Sequence, residues 1–292
     1  MNAEYDKEKW LIRPLKPEDF NDIAEISKDI WDGYDYLPKI FYEWVKAQGL
    51  FLGMEDIEKH KIVSVGKYSY LFDSTGWLEG LRVHPSYRNL GLSKALLQVL
   101  FDRALQDLRQ NKIQRIANCT HATNQISIHL SLSHGFSIQQ RYLVVEAEKT
   151  LPSIEPSAHT WQPTFEELQR QPYFQKTNGY ICQSFLVQSI NLSWFNDLKK
   201  KVQFAIVNGC PGWIDPSLEP YVQLLDPTPQ ALVAWLQYGA QVLGKESCMT
   251  FLYPEASLIE ALKSQPVQTW MNYEPDCLYL VYQPEGSQRT KS

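Results

Sequence analysis

The chain has 292 residues, room for two compact domains, and 44% of them are hydrophobic, enough to build cores and to set disorder aside. Its net charge is −5 and no basic block stands out beyond Lys199-Lys200-Lys201, which argues against nucleic acid as a partner, because phosphate contacts need a basic surface. Five cysteines, odd in number and never spaced C-x-x-C, argue against a disulfide scaffold, a zinc site or any other metal. No apolar run reaches membrane-spanning length, and the first residues lack a signal peptide's basic start and apolar core. The expectation is a reduced, cytoplasmic protein away from membranes.

In chain order, a short strand is expected at 10–15. Pro17 and Glu18 open a helix whose apolar face carries Phe20, Ile23, Ala24, Ile26 and Ile30. The run Tyr34-Asp35-Tyr36-Leu37-Pro38 interrupts it, and Pro38 suits the first turn of a second helix through Trp44 and Val45. Antiparallel strands follow at 50–54, 61–71 and 77–83, the last two joined by Asp73-Ser74-Thr75-Gly76. A helix is expected at 92–108, a strand at 113–119, a helix at 124–133 closed by Gly135, and a strand at 136–146. The Pro/Ser-rich stretch 151–157 reads as a linker. Beyond it, strands are expected at 180–187, 202–207, 249–253, 269–273 and 278–282, with helices at 229–243 and 257–263. The class is α/β, with domains at 1–150 and 160–284 and a flexible tail at 285–292.

The most informative stretch is residues 79–93. A strand bearing one carboxylate, Glu79, runs into a turn with Pro85. Arg88-x-x-Gly91-x-Ser93 follows, and an amphipathic helix starts at once. A small-residue loop lets backbone N–H groups converge on an anion, and the helix adds the positive end of its dipole. Arg88 can pair with a phosphate oxygen. A second motif follows, Asn124-x-x-Ser127-x-x-x-Ser131-x-x-x-Gly135-Phe136. Together the two resemble the acyl-CoA-side motifs of the GNAT acetyltransferases, Arg/Gln-x-x-Gly-x-Gly/Ala and Asn-x-x-Ala-x-x-x-Tyr-x-x-x-Gly-Phe.

The resemblance covers the first half of the chain. It implies a GNAT fold there and acetyl-CoA as co-substrate, bound by Leu81, Arg82 and Val83, by Arg88, Asn89, Leu90, Gly91, Leu92, Ser93 and Lys94, and by Asn124 and Ser127. Two positions depart from the pattern. Ser93 stands where the family has Gly or Ala, and its small hydroxymethyl group can clear a phosphate. Ser131 stands where the family has the Tyr that protonates the leaving thiolate. Serine is a poor acid, though a thiol with a reference pKa of about 8.5 leaves tolerably unaided. His129 and His134 lie near. The second half lacks any phosphate-loop equivalent, Asn208-Gly209-Cys210-Pro211-Gly212 being a turn, and reads as a GNAT-like half without a cofactor site.

Glu79 is the candidate general base. Acyl transfer needs a neutral amine, and a carboxylate in an apolar setting can take its proton. The competing reading is a solvated strand residue in a salt bridge with Arg82. Tyr34, Asp35 and Tyr36 offer one anion between two flat walls for a small-molecule amine, against the plainer reading of a helix break with packed rings. This segment, with 79–83 and the C-terminal extension, is similar to the histidine N-acetyltransferase-like branch, which implies acetylation of the α-amino group of a free amino acid. The alternative is a module that binds acyl-CoA as a sensor without turnover. Oligomeric state and acceptor are not legible.

Overall fold

The computed structural model describes residues 6–33, 35–148, 156–218 and 220–284. Tyr34, most of the 151–157 linker and the 285–292 tail lie outside the described residues. The chain divides into two compact units, 1–118 and 119–292. The sequence reading divides it near residue 150; the compact packing puts residues 119–148 in one unit with the C-terminal half.

The first unit opens with β1 (Trp10–Pro14), which pairs antiparallel with β2 (Leu50–Asp56). Between them run α1 (Phe20–Ser27) and α2 (Leu37–Lys46), with Pro38 in the first turn of α2, where its missing N–H costs nothing. β3 (Lys61–Tyr70) and β4 (Thr75–Val83) extend the antiparallel meander. α3 (Leu92–Arg109) crosses back to β5 (Arg115–His121), which pairs parallel with β4. Leu15, Ile23, Ile26, Leu37, Phe41, Phe51, Ile62 and Val65 form the core under α1 and α2.

The second unit begins in the last residues of β5. It continues with α4 (Gln125–Ser133) and the long β6 (Phe136–Glu148). Then come β7 (Ala158–Thr160), α5 (Phe165–Gln169), α6 (Pro172–Lys176), the hairpin β8 (Tyr180–Gln183) and β9 (Leu186–Ser189), and α7 (Leu192–Leu198). A meander of β10 (Gln203–Val207), β11 (Cys210–Ile214) and β12 (Val222–Leu224) leads into α8 (Pro229–Leu243). β13 (Ser247–Leu252), α9 (Ala256–Leu262), β14 (Gln268–Thr269) and β15 (Cys277–Tyr282) close the chain. β13, β14 and β15 all pair antiparallel with β6.

The element order repeats. β1 pairs with the first strand of the β2–β3–β4 meander, and α3, β5, α4 and β6 follow. β7 likewise pairs with the first strand of the β10–β11–β12 meander, and α8, β13, α9 and β15 follow. The second half therefore carries the strand–helix order of the first.

Two predicted strands need correction. Residues 180–187 are a hairpin, because Ser184 and Phe185 take left-handed backbone (φ 47° and 62°) and reverse the chain. The strand expected at 269–273 keeps only β14; Asn272 and Tyr273, at φ 47° and 67°, turn the rest.

Candidate functional site

The site in the first unit is organised by a bulge. Ser64 pairs with Val83 and Val65 with Arg82, but Lys67 pairs with Glu79, so the register slips by one around Gly66. Gly80 absorbs the slip at φ +67°. A Cβ there would lie 2.6 Å from the Trp44 ring, so backbone and space both require glycine.

The slip sets Glu79 opposite Lys67. The Glu79 carboxylate accepts a 2.6 Å hydrogen bond from the Ser69 hydroxyl. Desolvation pushes its pKa up to about 7, partly offset by the Ser69 and Trp77 hydrogen bonds and the Lys67 charge. Arg82 does not pair with it, so the salt-bridge alternative is not what the structure holds. Lys67 itself is buried, at 2% exposure, and its Nζ has no hydrogen-bond partner among the described residues. It sits 5.6 Å from the Trp44 ring and 5.8 Å from the Phe51 ring, and burial lowers its pKa.

Arg82 instead takes Asp35. Its Nε and Nη2 donate to the two Asp35 carboxylate oxygens at 3.1 and 3.2 Å, and Nη1 donates to the Leu81 carbonyl. The Trp31 and Tyr36 rings flank the guanidinium at 4.9 and 5.5 Å. Asp35 is buried and its charge is already matched, so it works on its surroundings through Arg82. Desolvation pushes the Tyr36 phenol up to about 12, and both Arg82 and Glu79 act on it electrostatically. Tyr36 meets Trp44 edge-on, and Trp44 meets Phe51 the same way. The outcome is an aromatic setting around one carboxylate of raised pKa, one cation without a hydrogen bond among the described residues, and one satisfied Arg–Asp pair.

After β4 the chain makes a short 3-10 turn over Pro85–Tyr87, with the His84 ring accepting the Ser86 N–H at 3.2 Å. Arg88, Asn89, Leu90 and Gly91 are exposed, and Asn89 and Gly91 take left-handed backbone. Gly91 is the N-cap of α3 and has no side chain with which to cap it. α4, α5, α7 and α8 differ, each being closed by a side chain: Asn124, Thr164, Asn191 and Thr228. The first-turn N–H groups of Leu92, Ser93 and Lys94 have no intrahelical acceptor by construction, and a Cβ built on Gly91 meets no atom within 4 Å. Dipole, open amides and Arg88 fit the phosphates of a nucleotide-bearing thioester.

In the second unit, Asn124 caps α4 through its carboxamide oxygen, which accepts the Ser127 N–H at 3.1 Å. Ser131 is buried on that helix. The His134 ring is bonded to the Leu130 carbonyl at 2.7 Å and so is held by its own helix. The counterpart of the phosphate loop between β12 and α8 is Asp226-Pro227-Thr228-Pro229. It presents an acid, two residues without N–H, and a Thr228 side chain that closes the helix on the Ala231 N–H. Among the described residues no cluster suits a metal ion, and no helix is long and apolar enough to cross a membrane.

Lys67, Trp31, Trp44 and Phe51 were missing from the sequence-derived site. Only the bulge brings the first of these to Glu79; continuing the register from Ser64 and Val83 would set Lys67 against Gly80.

The profile of the acetyltransferase (GNAT) family matches residues 18–136, a span that crosses the boundary between the two units. Histidine N-acetyltransferase of Oreochromis niloticus is 34% identical over 83 residues, which are 28% of this chain and 24% of that protein. Its namesake from Scomber australasicus is 28% identical over 109 residues, 34% of this chain and 29% of that protein, so the chain spans under a third of either relative. Among solved structures, a GCN5-related N-acetyltransferase from Sphaerobacter thermophilus superposes with a TM-score of 0.59 at 15% identity, over 93% of this chain and 95% of that one. A chain from Pyrococcus horikoshii classed among acetyltransferases gives 0.62 at 14% identity, over 96% and 92%. At these identities the likeness speaks of fold alone, and it extends over both halves.

Proposed function

Residues 18–136 match the acetyltransferase (GNAT) family profile, and on that premise we propose that the chain transfers the acetyl group of acetyl-CoA to the primary amine of a small molecule, with the α-amino group of an amino acid such as histidine as first candidate. The observation that carries this is Glu79, a carboxylate raised to about 7 by desolvation, one bulge and one turn ahead of an open helix N-terminus.

Arg88, Asn89, Leu90, Gly91, Leu92, Ser93 and Lys94 hold the pyrophosphate. The backbone of Leu81, Arg82 and Val83 polarises the thioester carbonyl. Tyr34, Asp35 and Tyr36 border the amine. Glu79 takes the amine's proton, directly or through water, and the nitrogen then attacks the carbonyl carbon. The thiol's modest basicity lets it depart as thiolate without a dedicated acid. The names of the two matched fish proteins support an amino acid acceptor.

Ser131 in place of a phenolic acid favours one rival, a module that binds acyl-CoA without turnover. Thiol release from acetyl-CoA, screened across free amino acids, polyamines and peptides, separates the two. Release that depends on an amine is expected. Binding of acetyl-CoA with no amine-dependent release would leave the sensor.

A further inference from the structure

Five cysteines scattered over 159 positions (Cys119 to Cys277) give no pattern in the sequence, yet three of them converge in the second unit. The Sγ atoms of Cys119 and Cys277 stand 3.1 Å apart, and those of Cys182 and Cys277 3.7 Å apart. All three are free thiols. Cys182 and Cys277 are fully buried, while Cys119 keeps part of its surface exposed. Cys119 lies on β5 and Cys277 starts β15, and the two strands are neighbours in the sheet. The sulfurs need only approach by about 1 Å to reach bonding distance.

We propose that Cys119, Cys277 and Cys182 form a peroxide-oxidisable site, in which Cys119 is the attacking thiol, Cys277 the resolving thiol and Cys182 an exchange partner. The Cys119 thiolate attacks one oxygen of a hydroperoxide. The S–O bond forms as the O–O bond breaks, and hydroxide or alkoxide leaves with the available proton. The Cys277 sulfur then attacks the Cys119 sulfenic acid. The S–S bond forms, the S–O bond breaks, and the departing hydroxide takes the Cys277 proton as water. Two thiols are oxidised by two electrons in total, and the peroxide is reduced by the same two. Cys182 can then attack Cys277, returning Cys119 as thiolate.

Two features assign the attacking role to Cys119. It is the one of the three that is not fully buried. Burial opposes its ionisation, but hydrogen bonds from the Cys182 and Cys277 thiols outweigh that and hold it below the usual thiol range. Burial, and after it the neighbouring Cys119, pushes the Cys182 and Cys277 thiols up, so neither competes as nucleophile. Cys210 and Cys248 lie elsewhere in the unit, bonded to backbone carbonyls, and are raised by burial.

The test is stepwise addition of hydrogen peroxide to the reduced full-length protein, followed by intact mass, thiol counting under denaturant and peptide mapping. Two of the five thiols should disappear first, with a mass loss of two hydrogens and a peptide joining Cys119 to Cys277. Cys119→Ser should abolish that early loss. Cys182→Ser should keep the 119–277 link, and Cys210→Ser and Cys248→Ser should leave its rate unchanged. Circular dichroism of each variant separates chemistry from misfolding. The proposal fails if all five thiols survive peroxide equimolar with the protein, if sulfenic acid accumulates on Cys119 without a link, or if Cys210 and Cys248 react first.

Discussion

Glu79 works as a base only when ionised, and its folded pKa near 7 puts that ionisation in the physiological range. The rate of the parent protein should therefore rise with pH through about 7 and level off above it. Glu79→Gln should keep acetyl-CoA affinity, lower turnover at pH 7 by roughly a hundred- to ten-thousandfold, and lose that limb. The deficit should shrink toward pH 9, where an α-amine with a reference pKa of about 8 is already neutral. Parental turnover in the variant at pH 7 would make Glu79 structural. Lys67 gives a second handle on the same group. Its charge favours the ionised Glu79, so Lys67→Met should move the limb of kcat/KM to higher pH by several tenths of a unit to about 1. The same change removes a buried cation without a hydrogen bond, so thermal stability should hold or rise. A limb that stays in place in a folded variant would separate the two residues. Glu79 was legible because one acid in an apolar strand before a Pro-containing turn is unusual. Lys67 was not, since its partner depends on a register slip that leaves no mark beyond two ordinary glycines.

Among the elements, the β4–turn–α3 unit was the most legible, because each part has a local cause: Pro85 for the turn, Gly91 for the left-handed cap, the 3.6-residue apolar period for α3. Arg88 is exposed at the mouth of that loop. Arg88→Ala should weaken acetyl-CoA about tenfold, the ~1.4 kcal/mol scale of one charge-assisted hydrogen bond, with the melting temperature unchanged. Unchanged affinity by calorimetry would move the pyrophosphate elsewhere. The short elements of the second unit were the least legible. α5, α6 and α7 have five to seven residues each, too few for a period to show. Their caps were readable after the fact: Thr164 and Glu167 form a reciprocal pair, and Asn191 caps Trp194.

At the scale of the molecule, the repeated order of elements raises the question of a second cofactor. The first half opens α3 with a bare glycine, whereas the second closes α8 with Thr228 and Pro229 and places Asp226 just ahead. Asp226 there is already paired with Lys176, and the missing amides of Pro227 and Pro229 cannot cradle a phosphate. Titration with acetyl-CoA should saturate at about one equivalent per chain. Saturation near two would overturn this account of the second half.

The long strand β6 has a consequence for anyone cutting this chain. The family profile ends at residue 136, where β6 begins, and a boundary near residue 150 invites expression of the first half alone. All 13 residues of β6 lie before such a cut, but its antiparallel partners β13, β14 and β15 all lie after it. Leu143, Val144 and Val145 have no exposed surface in the intact chain. A 1–150 fragment would carry them on an unpaired apolar edge, the template on which other chains add strands. Light scattering should show such a fragment self-associating within hours at concentrations where the full chain stays monodisperse; a stable, monodisperse fragment would mean that β6 can find other cover.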